Sequence, residues 1–381
     1  MIRTSILLIF ASVLVAGDST LPDPLRFADG SPVTAADWPR RRAELLEVFT
    51  REVYGRVPVG RPADLAFSVV DTKADAMDGM AVRKRIRVTY SGPGGKGGID
   101  LLLFVPVKRA GPVPCALLIS NRPASENLDP ERAAKTEFWP AEAIIARGWA
   151  AADFQVADLD PDKDDGFKDG VHGIFDTPPR APDAWATIAA WAWGASRCVD
   201  YLVSDANIDS KRIAVVGHSR GGKTALWCGA QDERVALTVS NNSGCSGAAI
   251  SRGKQGESIA RINTAFPHWF CANYKRWNGR EAEAPFDQHE LVALIAPRLA
   301  YIASASEDAW ADPAAEFASG VAASQVWVLL GFRGLVADGM PGPEQPRQDG
   351  RIGYHLRTGK HDLTAYDWER FLDFADRHLA R

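Results

Sequence analysis

Residues 211–232, KRIAVVGHSRGGKTALWCGAQD, leave few options for local structure. Residues 213–216 are a short apolar run of strand type, Gly217-His218-Ser219-Arg220-Gly221 follows at once, and residues 224–230 read as helix. A turn sharp enough to lift one side chain off the end of a sheet needs residues without a Cβ on either side, and Gly217 and Gly221 supply them. The serine between them is expected in a strained elbow with its hydroxyl exposed. Its own amide and the next one should lie at the N-terminus of the following helix, where N–H groups and the helix dipole stabilise a developing oxyanion. The five-residue pattern also fits a plain glycine-rich loop; the flanking strand and helix are the context that favours a nucleophile.

Around this elbow the chain changes character. Residues 36–54 form one helical stretch in a Pro- and Arg-rich N-terminal region. Leu65, Phe67 and Val69, then Val82, Ile86, Val88 and Tyr90, alternate with polar residues as antiparallel strands do, with a turn at residues 91–95. Strands follow at residues 101–107 and 112–120, the second a continuous apolar run of the buried parallel type. Helix and strand then alternate: helix 141–148, strand 149–156, helix 185–203, and strands at 213–216, 235–240, 299–304 and 326–330. Residues 364–379 close the chain as a helix, with a capping box at Thr364 and Asp367 and an apolar stripe through Trp368, Phe371, Leu372, Ala375 and Leu379. This order predicts an α/β-hydrolase fold, a three-layer α/β sandwich with a mostly parallel central sheet and antiparallel N-terminal strands. No linker or repeat interrupts it, so residues 18–381 read as one catalytic domain.

The first residues, MIRTSILLIFASVLVAGDST, place Arg3 before an apolar run and small residues before Asp18, the pattern of a secretory signal peptide at residues 1–17. The run is too short for a membrane span, so a secreted or periplasmic protein is expected. A net charge of −4 and pI near 6.0 argue against nucleic acid or an anionic membrane as partner. Five cysteines without CxxC spacing do not indicate a metal site; Cys115, Cys198 and Cys228 fit buried thiols, and export permits one disulfide that the sequence does not assign. Twelve tryptophans are enough to offer stacking surfaces for sugars, although core packing accounts for most of them. The aspartates at 160, 162, 164, 165 and 169 lack EF-hand spacing and read as a solvated acidic loop over the site, within residues 158–184.

A serine hydroxyl needs a base to take its proton and a third group to orient the base. In this fold the order is serine, acid, histidine, on loops after successive later strands. His378 reads as solvated surface, His289 as structural, and His268, in FPHWF, comes too early for the base but could line the site. His361 is favoured because it stands just before the C-terminal helix, with His355 the alternative. Asp308 follows the strand at 299–304 and is the favoured acid, with Glu307 the alternative.

Six ordered runs, GHSRGGKTALW, SNNSGCSGAA, FPHWF, DQHELVALIAPR, SEDAWADP and GKHDLTAYDW, together resemble the bacterial branch of the glucuronoyl esterases, carbohydrate esterase family 15. The resemblance spans roughly residues 112–381. It implies cleavage of the ester between 4-O-methyl-glucuronic acid on xylan and a lignin alcohol, with no metal or organic cofactor. It also implies roles: Arg220 giving its amide and guanidinium to the oxyanion, Lys223 and Glu257 binding sugar hydroxyls, and Trp310 packing on the sugar. Without it, Lys223 and Glu257 would read as solvated charges and Trp310 as a loop aromatic.

Two departures stand out: Asn242 where many members have glutamate, which shifts the acid role to the Asp308 loop, and His218 where the fungal branch has a disulfide-forming cysteine. Two other readings compete. One is an acetylxylan or other carbohydrate esterase with the same triad; the other is a sugar-binding homologue with impaired catalysis, which Asn242 would motivate. A monomer is expected.

Overall fold

The computed structural model describes residues 21–127 and 129–379; the expected signal peptide lies outside them. The strands are β1 (Ala66–Ala76), β2 (Ala81–Gly92), β3 (Gly95–Pro106), β4 (Val113–Ser120), β5 (Ala150–Gln155), β6 (Ile208–His218), β7 (Val235–Asn241), β8 (Leu299–Ala305) and β9 (Ile352–Arg357). They pair in one sheet in the order β1-β2-β3-β5-β4-β6-β7-β8-β9. β1, β2 and β3 run antiparallel, as does the β3–β5 pair, and the remaining pairs are parallel. The change occurs where the sequence changes: β2 alternates buried and more exposed residues and the edge strand β1 is mostly exposed, whereas all eight residues of β4 are buried.

Because side chains alternate along a strand, each central strand feeds two cores. Cys115, Leu117, Ile119, Ile213, Val215 and Ile302 join one cluster with Trp191 and Trp227, carried by the helices Thr187–Leu202 and Arg220–Gln231. Ala116, Leu118, Ala214, Val216, Tyr301 and Ala303 join the other, with Trp368 and Phe371 from the helix Ala365–His378. The result is the three-layer α/β-hydrolase sandwich expected from the sequence. At about 1.5–3 kcal/mol per fully buried large apolar side chain, these two interfaces supply the main drive for folding.

The expected strand at residues 326–330 is instead the end of the helix Pro313–Leu329. Asp312 caps that helix by accepting from the Ala315 amide at 3.1 Å, and Val326 and Trp327 are buried while Val328 is exposed, as a helical face requires. The sheet position beside β8 belongs to β9, whose six residues are all buried. His355 therefore sits inside the last strand, not after it. Residues 36–54 are helical as expected, but in three pieces: a short 3-10 turn, the helix Trp38–Phe49, and a wider turn at Thr50–Tyr54.

Most tryptophans are core residues, while Trp310 is exposed. All five cysteines are buried free thiols, so the permitted disulfide is absent. His289 bonds the Pro22 carbonyl at 2.8 Å. His378, expected in solvent, is half-buried against Phe374 and bonds the Gln348 carbonyl at 2.8 Å.

Candidate active site

β6 ends at His218, and Ser219 turns the chain with φ 56° and ψ −121°, strained for a residue with a side chain. The neighbouring glycine makes this turn possible, since a Cβ on Gly217 would lie 1.9 Å from the Gly221 carbonyl oxygen. The Ser219 amide donates to the Asn241 carbonyl at 2.9 Å, which corrects the expectation that it faces an oxyanion. Arg220 opens the helix Arg220–Gln231, so its N–H is among the first-turn amides for which a helix has no internal acceptor.

The loop after β8 brings Asp308 to His361, with Asp308 Oδ2 at 2.6 Å from His361 Nδ1. Asn242 Nδ2 donates to the same oxygen at 3.0 Å, and the Ala311 amide donates to Oδ1 at 3.2 Å. Burial alone would raise the Asp308 carboxyl, but the bonds from His361 and Asn242 outweigh it and hold it below the usual carboxylate range. Glu307 is exposed, and its backbone joins Gly359. His355 is fully buried between Asp367 (2.8 Å) and the Tyr301 hydroxyl (3.0 Å), away from the cleft.

His218 packs against His361 with ring centroids 4.5 Å apart. Burial, aided by His361, pushes the His218 imidazole down to about 3, so it stays neutral beside a ring that can take a proton.

A cleft of about 350 Å³ opens over these groups, lined by Ser219, Arg220, Lys223, Glu257, Trp310 and His361, with Phe266 and Trp269 on one wall. Lys223 is not a solvated charge. It is buried, its ammonium donates to the Ser243 carbonyl, and burial pulls it below its ordinary value against the field of Glu257. Trp310 stands at the rim, 52% exposed, with the Arg261 guanidinium 5.3 Å from its ring centre.

His268 does not line the cleft. It is buried, and its Nε2 bonds Asp162 Oδ1 at 2.9 Å, because the FPHWF segment presents Phe266 and Trp269 to the cleft and turns the histidine toward the covering loop. That loop is not simply a solvated acidic one either. Asp160 is buried and accepts from the Thr187 hydroxyl at 2.5 Å, and Asp162 pairs with Arg220.

Sequence reasoning missed Asp162, Phe266, Trp269 and the buried Glu316, which accepts from the Gly244 amide at 2.8 Å and the Ser304 hydroxyl at 2.6 Å. The FPHWF run was visible in the sequence, but which of its side chains faced the cleft was not.

A family profile described as glucuronyl esterase, fungi, matches residues 137–331. A carbohydrate esterase, MZ0003, from an unknown prokaryotic organism is 41% identical, covering 94% of this chain and 90% of its own. A 4-O-methyl-glucuronoyl methylesterase from Phanerochaete carnosa is 28% identical over 82% of this chain and 73% of its own. The solved glucuronoyl esterase from Solibacter usitatus superposes with a TM-score of 0.88 at 40% identity, covering 94% of this chain and 98% of its own. With the fold, the elbow and these relatives in agreement, the chain belongs to the glucuronoyl esterase family, carbohydrate esterase family 15.

Proposed function

We propose that this protein is a carboxylic ester hydrolase that cleaves esters of (4-O-methyl-)glucuronic acid carried by xylan, with lignin alcohols as leaving groups, through an acyl-enzyme on Ser219. The observation that carries this reading is the 2.6 Å bond between Asp308 and His361, which share one cleft with the elbow serine. Asp308 accepts the Nδ1 proton of His361, leaving Nε2 as the base. His361 Nε2 takes the Ser219 hydroxyl proton as the oxygen attacks the ester carbon. The tetrahedral oxyanion lies at the helix N-terminus, toward the Arg220 amide and guanidinium. His361 returns the proton to the departing alcohol oxygen. Water then loses a proton to His361 and attacks the acyl-enzyme, and the uronic acid leaves with Ser219 restored.

Lys223 and Glu257 offer a donor and an acceptor to sugar hydroxyls, and Trp310 offers a flat rim. Asn242 supplies no charge, so the acid role rests on Asp308. The N-terminal apolar run supports secretion or periplasmic export of a mature domain from about Asp18, and among the described residues no helix is long and apolar enough to cross a membrane.

The test is hydrolysis of benzyl glucuronate beside 4-nitrophenyl acetate. The uronate ester should be turned over well above the acetate, with kcat reduced by about 10⁴-fold or more in Ser219→Ala and by about 10²–10⁴-fold in Asp308→Asn. Preference for acetate would instead assign a general carbohydrate esterase. Absence of turnover with either substrate would assign a sugar-binding protein.

A further inference from the structure

The charge beside the nucleophile is not free. Arg220 directly follows Ser219, and one terminal nitrogen of its guanidinium is paired with Asp162 Oδ2. The other Asp162 oxygen accepts from His268 Nε2 at 2.9 Å and Trp269 Nε1 at 2.7 Å. The guanidinium also lies 5.0 Å from the ring centre of Trp269 and 5.5 Å from that of Phe266, two rings stacked on each other at 3.7 Å, so it rests beside one aromatic wall of the cleft. Asp162 is itself held by its surroundings, since two residues earlier Asp160 accepts from Thr187 Oγ1 at 2.5 Å and its carbonyl accepts from Trp191 Nε1 at 2.8 Å. Burial alone would raise the Asp162 carboxyl, but the bonds from His268 and Trp269 and the charge of Arg220 outweigh it and keep it ionised.

Ester hydrolysis poses a charge problem for such a cleft. The substrate's acyl group is a neutral ester, whereas the product is a carboxylate at the same position. An unpaired guanidinium there would hold the product more tightly than the substrate and slow its release. A guanidinium paired with a carboxylate keeps its directed N–H groups but has little net charge at a distance.

We propose that Asp162 is a specificity-determining positioning residue: it orients the Arg220 guanidinium beside Ser219 and offsets its charge, so that the cleft accepts neutral uronate esters without retaining the uronate anion. This rests on the uronate-ester reading above and adds a product-release requirement to it.

The experiment compares glucuronate with neutral, similarly sized glucuronamide as competitive inhibitors of benzyl glucuronate hydrolysis. In the wild type the two inhibition constants should agree within about threefold. In Asp162→Asn glucuronate should become the tighter inhibitor by about tenfold relative to the amide, as an uncompensated charge requires. A general loosening of the cleft would weaken both inhibitors alike and leave their ratio unchanged, and thermal unfolding reports whether the variant folds. Should the variant fail to fold, the wild-type ratio decides: near-equality supports the proposal, and a tenfold preference for the anion overturns it. An unchanged ratio in a folded variant overturns it while leaving the esterase reading intact. No turnover of the uronate ester by the wild type overturns both.

Discussion

His355 and His361 are close neighbours in the chain and meet opposite environments. His355 is enclosed in β9 with both ring nitrogens engaged by Tyr301 and Asp367. His361 bonds one carboxylate through Nδ1 and keeps a 42% exposed side chain at the cleft. Their substitutions should separate accordingly. His361→Ala should lose about 10³-fold or more in kcat with little change in thermal midpoint. His355→Leu should retain kcat within about fivefold while losing about 1–3 kcal/mol of stability, seen as a lower thermal midpoint, because it leaves a buried oxygen of Asp367 without its donor. Paired assays of turnover and thermal unfolding check this; the reverse pattern would make His355 the base.

At the scale of the element, the elbow depends on its glycine more than on the serine it presents. Gly217 fits because the Gly221 carbonyl lies where a side chain would begin. Gly217→Ala should therefore destabilise the protein by about 3 kcal/mol or more, or prevent soluble expression, whereas Ser219→Ala should leave stability nearly unchanged. Urea unfolding of the two variants side by side reads the difference. Similar midpoints would mean that the strand–helix junction relaxes easily. The last helix is tied to the last strand in a comparable way. Asp367 accepts from His355, from Arg357 Nε at 3.0 Å, and from the amide and hydroxyl of Thr364 at 2.7 and 2.9 Å. This junction spans the loop that carries His361.

Across the whole molecule, buried carboxyl groups shape stability against pH. Burial pushes Glu316 up to about 7 and Glu290 up to about 8, from an ordinary value of 4.5. For an acid raised on folding, the native state binds more protons than the unfolded chain over that interval. The stabilisation is full below the ordinary value and is lost as pH rises through the folded one. Asp308 and Asp367 are shifted the other way, and their contribution is present above the ordinary aspartate value and lost on acidification. Burial of His218, whose imidazole is held at about 3, adds stability that is present above the ordinary histidine value of 6.5 and lost on acidification, so Glu316 and Glu290 set the fall on the alkaline side and His218 with the aspartates the fall on the acidic side. Glu316→Gln, which keeps an acceptor for the Gly244 amide and can donate its NH2 to the Ser304 hydroxyl oxygen, should flatten the fall in thermal midpoint between about pH 5 and 8 by roughly a few degrees. An unchanged slope in that variant would locate the pH dependence elsewhere.

How much of this was legible in the sequence follows from how local each signal is. The elbow is written in consecutive residues, because a glycine-flanked turn between an apolar run and a helix is a short-range steric requirement. The buried strand β4 and the capped final helix are legible for the same reason: their patterns have the period of the element they form. Asp308 and His361 could be proposed from chain order, since the fold fixes which loops meet the nucleophile. Residues 326–330 were not legible as helix, because a short apolar run suits either state until the surrounding sheet has been filled, and only assembly gave that place to Ile352–Arg357. Asp162, read as one of several solvated aspartates, pairs with Arg220 across a gap of more than fifty residues, and Glu316 is buried beneath Gly244 by helix packing. Sequence determined the elements and the candidates for chemistry; tertiary structure decided their partners, because burial and long-range contact, not residue type, set which charges are paired.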